Sequence, residues 1–139
     1  MNHVTIFTDG GSRGNPGPAG SGAVIKGLDG ENVASVSAFL GTQTNNFAEY
    51  EALVLALTSA RDFFGSPVPH KVVVKMDSEL IVRQMNGQYK VKHPILKTKH
   101  QEVKKLIADS FPDIEFAHVR REENSEADQL ANDAMDRGM

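Results

Sequence analysis

Short apolar runs alternate along this chain with longer stretches in which apolar residues recur every three or four positions. "HVTIFT" (3–8), "GSGAVIKGL" (20–28) and "NVASVSAFL" (32–40) read as strands, the last two joined through Asp29-Gly30, a strong hairpin cue. "NNFAEYEALVLALTSARDFF" (45–64) sets Ala52, Leu53, Ala56, Leu57 and Ala60 at helical spacing, and "GSPVP" stops it. "HKVVVKM" (70–76) is a continuous β-branched run, the pattern of a strand buried on both faces. A helix is expected to open at Ser78, and another to run from Pro94 to about Ala108. "IEFAHV" (114–119) is a last strand, and "NSEADQLANDAMD" (124–136) a last helix with Asn124 as its N-cap. The order β-β-β-α-β-α-α-β-α predicts an α/β fold, a mixed sheet with helices packed on it.

Two of these strands end alike. "VTIFTD" and "VVVKMD" are apolar runs closed by an aspartate, and the long helix between them makes a crossover that lays the strands parallel and adjacent. Asp9 and Asp77 are then expected to emerge side by side, in the crevice beyond the strand ends where open α/β sheets bind ligands. Two close carboxylates repel each other unless a cation lies between them, so the pair points to Mg²⁺ or Mn²⁺; the plainer alternative is that each Asp caps the next element. Glu49 stands three and four residues before Ala52 and Leu53, on the apolar face of its helix, where an unpaired carboxylate is unfavourable unless it meets a cation. Asp128 lies in the first turn of the last helix, where complementing the helix dipole would be reason enough for it.

Composition narrows the chemistry. The 139 residues are 40% hydrophobic and 24% charged, which suits one globular domain spanning 1–139. With no cysteine there is no disulfide framework, no thiolate nucleophile and no Cys-ligated zinc, so any metal must sit on oxygen or imidazole. The start "MNHVTIFTDG" enters a strand at once and no run approaches membrane-spanning length, so a cytoplasmic protein without membrane contact, acting as a monomer, is expected. The net charge of −3 conceals an asymmetry: between Lys75 and Lys105 there are eight Lys or Arg against three acids. That stretch reads either as a solvated face or as a nucleic-acid surface.

"TDGGSRGNPGPAGSGAVI", "TNNFAEYEALVLAL", "VVVKMDSELIVRQMNG" and "REENSEADQLANDAM" together resemble the four motif blocks of type 1 ribonuclease H, in that family's order and over nearly the whole chain. The resemblance implies a ribonuclease H-like fold: a mixed five-stranded sheet, three antiparallel strands followed by parallel ones, with helices on both faces. It implies a metal-binding quartet of Asp9, Glu49, Asp77 and Asp128 holding two Mg²⁺ ions, with Mn²⁺ as an alternative. The activity implied is endonucleolytic cleavage of the RNA strand of RNA/DNA hybrids, leaving 5′-phosphate and 3′-hydroxyl ends. Gly10, Gly11, Ser12 and Asn15, with Asn45 and Asn46, would face the RNA strand, the glycines clearing side chains from backbone that must approach ribose 2′-hydroxyls. Thr44 would meet a phosphate of the DNA strand.

The chain departs from the family pattern in two places. It has no Trp, and "GQYKVKHPILKTKH" is only moderately basic where many members carry a basic helical handle; Lys90, Lys92, Lys97 and Lys99 are the residues left to meet phosphate there. Members with a long final loop place a mobile His before the last helix. Here the loop "RREEN" is short, and the role falls to His118, ten residues before Asp128, or to Arg121 or Arg120, whose guanidinium could hold a phosphate. A nonenzymatic binding module of the same fold would usually have lost a carboxylate. An actin-like kinase needs two such lobes, and the glycine-rich and "NNFAEYEAL" blocks argue against a transposase or a junction resolvase.

Overall fold

The computed structural model describes residues 2–138. Three strands, β1 (Val4–Ser12), β2 (Gly17–Lys26) and β3 (Asn32–Gln43), form an antiparallel meander, and helix α1 (Asn45–Phe64) then crosses to β4 (Val72–Met76). Helices α2 (Glu79–Met85) and α3 (Pro94–Ser110) lead to β5 (Ile114–His118), and a 3₁₀ turn at Arg121–Glu123 precedes α4 (Ser125–Arg137). The sheet order is β3-β2-β1-β4-β5, with β4 parallel to both β1 and β5.

The β-branched run of β4 is buried as its pattern requires, Val72 and Val74 completely so. Val4 and Ile6 of β1 share one core with Tyr50, Leu53 and Leu57 of α1. Each such fully buried aliphatic side chain is worth about 1.5–3 kcal/mol in area terms. The Asp29-Gly30 turn forms as expected, with Gly30 at φ 82°, a left-handed conformation that favours glycine.

The glycine-rich segment differs from its sequence reading. β1 does not stop at Asp9: the ladder continues through Asp9↔Gly22, Gly10↔Ser21, Gly11↔Gly20 and Ser12↔Ala19, so only residues 13–16 make the bend. Three of the six glycines between residues 10 and 22, Gly10, Gly20 and Gly22, are seats for helices. A Cβ on Gly10 would stand 2.3 Å from the Ala48 carbonyl carbon of α1, while on Gly20 and Gly22 it would stand 2.6 and 2.2 Å from α4 carbonyl oxygens. Ser21, between the latter two, instead donates its hydroxyl to the Ala48 carbonyl. Successive residues of a strand face opposite sides, so α1 and α4 clamp the sheet from its two faces at this point.

Asn124 is the N-cap residue of α4 as expected, its backbone carbonyl accepting from the Asp128 amide, but its side chain makes no capping bond to the first turn. Between α2 and α3 the chain passes through residues 86–93 without a helix, where a handle would stand.

Candidate active site

The parallel register pairs Thr8 with Met76, so the next residues, Asp9 within β1 and Asp77 just past the end of β4, stand side by side at the same level. Glu49 arrives from the second turn of α1. That helix starts where Thr44 caps it, the Thr hydroxyl accepting from the Phe47 amide, and it can sit this close to β1 only because residue 10 has no side chain. Asp9, Glu49 and Asp77 each offer a carboxylate oxygen, and these atoms all lie within 4.8 Å of one another. Asp128, in the first turn of α4, lines the same cavity of about 350 Å³ with Asn45, Asn46, Gly10 and Gly11.

The electrostatics are those of crowded acids in a poorly solvated place. The Asp9 carboxyl is pushed up to about 8, first by burial, then by the charge of Asp77 and by the hydrogen bond and charge of Asp128, against the opposing pull of the Gly10 amide. Glu49 is raised well above the carboxylate range by burial and by the charges of Asp9 and Asp77. One oxygen of Glu49, Oε1, is buried without a hydrogen-bond partner among the described residues. An orphaned carboxylate oxygen aimed into an all-oxygen cluster fits a hard divalent cation, which would supply the missing partner and relieve the repulsion.

Around the acids the polar loops are interlocked. Asn45 Oδ1 accepts from the Ser12 amide at 2.7 Å and from its hydroxyl, and the Asn45 amide donates to Asn15 Oδ1. With Oδ1 so engaged, Asn45 presents Nδ2, which has no hydrogen-bond partner among the described residues, beside the positive end of the α1 dipole, an electrostatic setting for phosphate. Gly11 has room that Gly10 lacks: the nearest atoms to a Cβ there are 3.8 Å away. Arg121 lines the cavity, its Nε 3.9 Å from Asp77 Oδ2, while Arg120 turns to Glu122. His118 is the exposed last residue of β5 and does not line the cavity. The alternation that placed it in strand phase also carries it away from the acids.

Asn132 and Met135, which escaped the sequence reading, form the α4 wall of the cavity. The signal was present, since Asn132 stands one helical turn after Asp128 and shares its face. On the basic side, Lys90, Lys92 and Lys97 line a second cavity of about 480 Å³ with Tyr89 and His100. Lys99 does not join them. It is tied to Glu51 and Glu102, so it is not free for phosphate.

A mixed sheet in this order, with carboxylates gathered where the parallel pairing of β1 and β4 ends, defines a ribonuclease H-like protein. A sequence-family model described as reverse transcriptase-like matches residues 7–134. The "Bifunctional protein Rv2228c" of Mycobacterium tuberculosis (strain ATCC 25618 / H37Rv) is 46% identical over 134 residues, which is 96% of this chain but 35% of that protein. Ribonuclease HI of Halobacterium salinarum is 40% identical over 133 residues, 96% of this chain and 64% of that one. The crystal structure of LC11-RNase H1 in complex with RNA/DNA hybrid is 48% identical, with a TM-score of 0.92 over 96% of this chain and 97% of that one. This chain belongs to the type 1 ribonuclease H family. It spans about a third of the length of the mycobacterial relatives it matches.

Proposed function

We propose that this chain is a metal-dependent endonuclease that hydrolyses the RNA strand of RNA/DNA hybrids to 5′-phosphate and 3′-hydroxyl ends. The observation that carries the reading is the crowding of Asp9, Glu49 and Asp77 within 4.8 Å at the open end of the parallel strands, with a buried Glu49 oxygen left unpartnered. Asp9, Glu49, Asp77 and Asp128 would hold two Mg²⁺ ions, or Mn²⁺. Bound there, the ions would activate a water and neutralise charge developing on the scissile phosphate. The complex of LC11-RNase H1 with RNA/DNA hybrid supports hybrid as the substrate class.

The remaining roles belong to the protein's own groups. Arg121, exposed on one flank of Asp77, would hold a phosphate oxygen beside the acids; His118, outside the cavity, is the weaker candidate. Asn45, Asn46, Gly11 and the Ser12–Asn15 bend would read 2′-hydroxyls at the sheet edge of the groove, with Gly10 serving there as the seat that lets α1 bring them forward. The Thr44 hydroxyl, already accepting from the Phe47 amide, keeps its proton to donate to a DNA-strand phosphate.

The test is incubation of purified protein with labelled RNA/DNA hybrid, RNA duplex and DNA duplex, with Mg²⁺ or Mn²⁺ and with chelator. Hybrid should be cut in its RNA strand, and only with metal, while DNA duplex is left whole. Efficient cutting of pure DNA would overturn the reading, as would metal-independent cleavage.

A further inference from the structure

Asn124 is almost wholly buried, 1% exposed, between the 3₁₀ turn and α4. Its Nδ2 donates to the Thr8 carbonyl at 2.8 Å and lies 3.5 Å from Asp77 Oδ1. Its own carbonyl accepts from the Asp128 amide at 3.1 Å. One side chain and its backbone thus touch the residue ahead of Asp9, the carboxylate of Asp77, and the helical turn that carries Asp128.

The orientation of the amide is dictated by its partners. Both groups facing the nitrogen are acceptors, so turning the amide round would set oxygen against oxygen. With the nitrogen so engaged, Oδ1 is left buried and without a partner among the described residues, and it does not take the N-cap bond that an Asn in this place ordinarily accepts. Arg121 approaches the other oxygen of Asp77, Oδ2, so that carboxylate is held from two sides, by a buried neutral donor and an exposed cation. A Leu here would leave the Thr8 carbonyl and Asp77 without this donor, and an Asp would add a third acceptor.

We infer that Asn124 is a positioning residue of the acidic site, fixing the plane of Asp77 and its separation from Asp9 and Asp128, and through them the geometry offered to a cation. The inference rests on the reading of the acids as a cation site. Partners of this kind, one step behind the ligands, typically change metal affinity by about 10–100-fold when removed. A purely structural tie between α4 and β1 would not change it.

The experiment measures Mn²⁺ affinity by electron paramagnetic resonance without nucleic acid, kcat and KM on hybrid, and thermal stability, for wild type, Asn124→Ala and Ser37→Ala. Ser37 supplies the control: its hydroxyl ties β3 to the Leu130 carbonyl of α4 at 2.6 Å, outside the acidic cavity. At a temperature where all three are folded, Asn124→Ala should weaken Mn²⁺ about tenfold or more and lower kcat with little change in KM. Ser37→Ala should lower Tm and leave Mn²⁺ affinity and kcat unchanged. If Asn124→Ala does not fold, Asn124→Ser, which keeps a shorter donor, is held to the same standard with a smaller loss. Wild-type Mn²⁺ affinity and kcat in the Asn124 variant would assign the residue to the fold alone and overturn the inference, as would a rise in KM by itself. A wild type that binds Mn²⁺ but cuts no hybrid would sink the nuclease reading and leave the Mn²⁺ comparison decisive; one that binds no Mn²⁺ would sink both.

Discussion

Gly10 and Ala48 are packed backbone to backbone, so closely that a Cβ on Gly10 would lie 2.3 Å from the Ala48 carbonyl carbon. Glu49 is the next residue of α1, and Asp9 the preceding residue of β1, so this contact sets how near the two carboxylates come. Gly10→Ala should push α1 off the strand. The expected result is a loss of about 1–3 kcal/mol, as for overpacking elsewhere, read as a lower urea midpoint, together with weaker cation binding. An alanine variant with wild-type stability and wild-type Mn²⁺ affinity would show that the seat is not what brings the acids together.

The crowding of the acids makes opposite predictions for activity and stability. Asp9→Asn and Asp77→Asn should each reduce hybrid cleavage by more than about a hundredfold, because each removes a group that would hold a cation stabilising transition-state charge. In chelator, however, both variants should melt at the wild-type temperature or above it, since each relieves repulsion. Residual activity of about a tenth in both would defeat the carboxylate assignment.

A carboxyl whose folded pKa stands above its ordinary value holds its proton more tightly in the folded chain. It contributes stability in full below the ordinary pKa and loses it as pH rises through the folded value. For Asp9 that window runs from 3.8 to about 8, and Glu49 is shifted in the same direction. Metal-free protein should therefore lose stability steadily across this range as pH rises, and Glu49→Gln should flatten the decline. Urea titrations in chelator at a series of pH values measure it; stability that climbs with pH over the window would contradict the burial of these acids.

The basic segment divides into lysines that face solvent and one that does not. Lys90, Lys92 and Lys97 are exposed and make no ion pair among the described residues, and each phosphate they meet is worth about 0.7–0.9 in the slope of log affinity against log salt, so this segment should report about two to three contacts. Lys90→Ala with Lys92→Ala should raise KM and make that slope shallower while kcat holds. Lys99→Ala should instead destabilise the fold. Its pairing with Glu51 is partly buried, between the exposed pairs worth up to about 1 kcal/mol and the buried ones whose disruption takes about 3 kcal/mol or more. Unchanged affinity across the salt series in the double variant would make the segment a solvated face.

The order of elements, the parallel placement of Asp9 beside Asp77, and the apolar face that carries Glu49 were all legible in the chain, because each follows from a local period or a short-range rule of connection. α1 runs over the residues its spacing marked, Asn45–Phe64. Tertiary structure alone decided what depends on distances between remote segments. β1 runs on past Asp9 to Ser12 because β2 pairs with it there, and of the two glycines read as an approach for substrate Gly10 is also a seat for α1, while Gly11 keeps open space around it. Asn124 has the composition of a helix cap but is turned by Thr8 and Asp77, 116 and 47 residues away in sequence, into a crosslink. Lys99 is drawn inward by Glu51, a residue 48 positions earlier, and His118 is left outside the cavity by the end of β5. A side chain's type and period fix which element it belongs to and which face it takes; which partner it meets is fixed only when the helices close on the sheet.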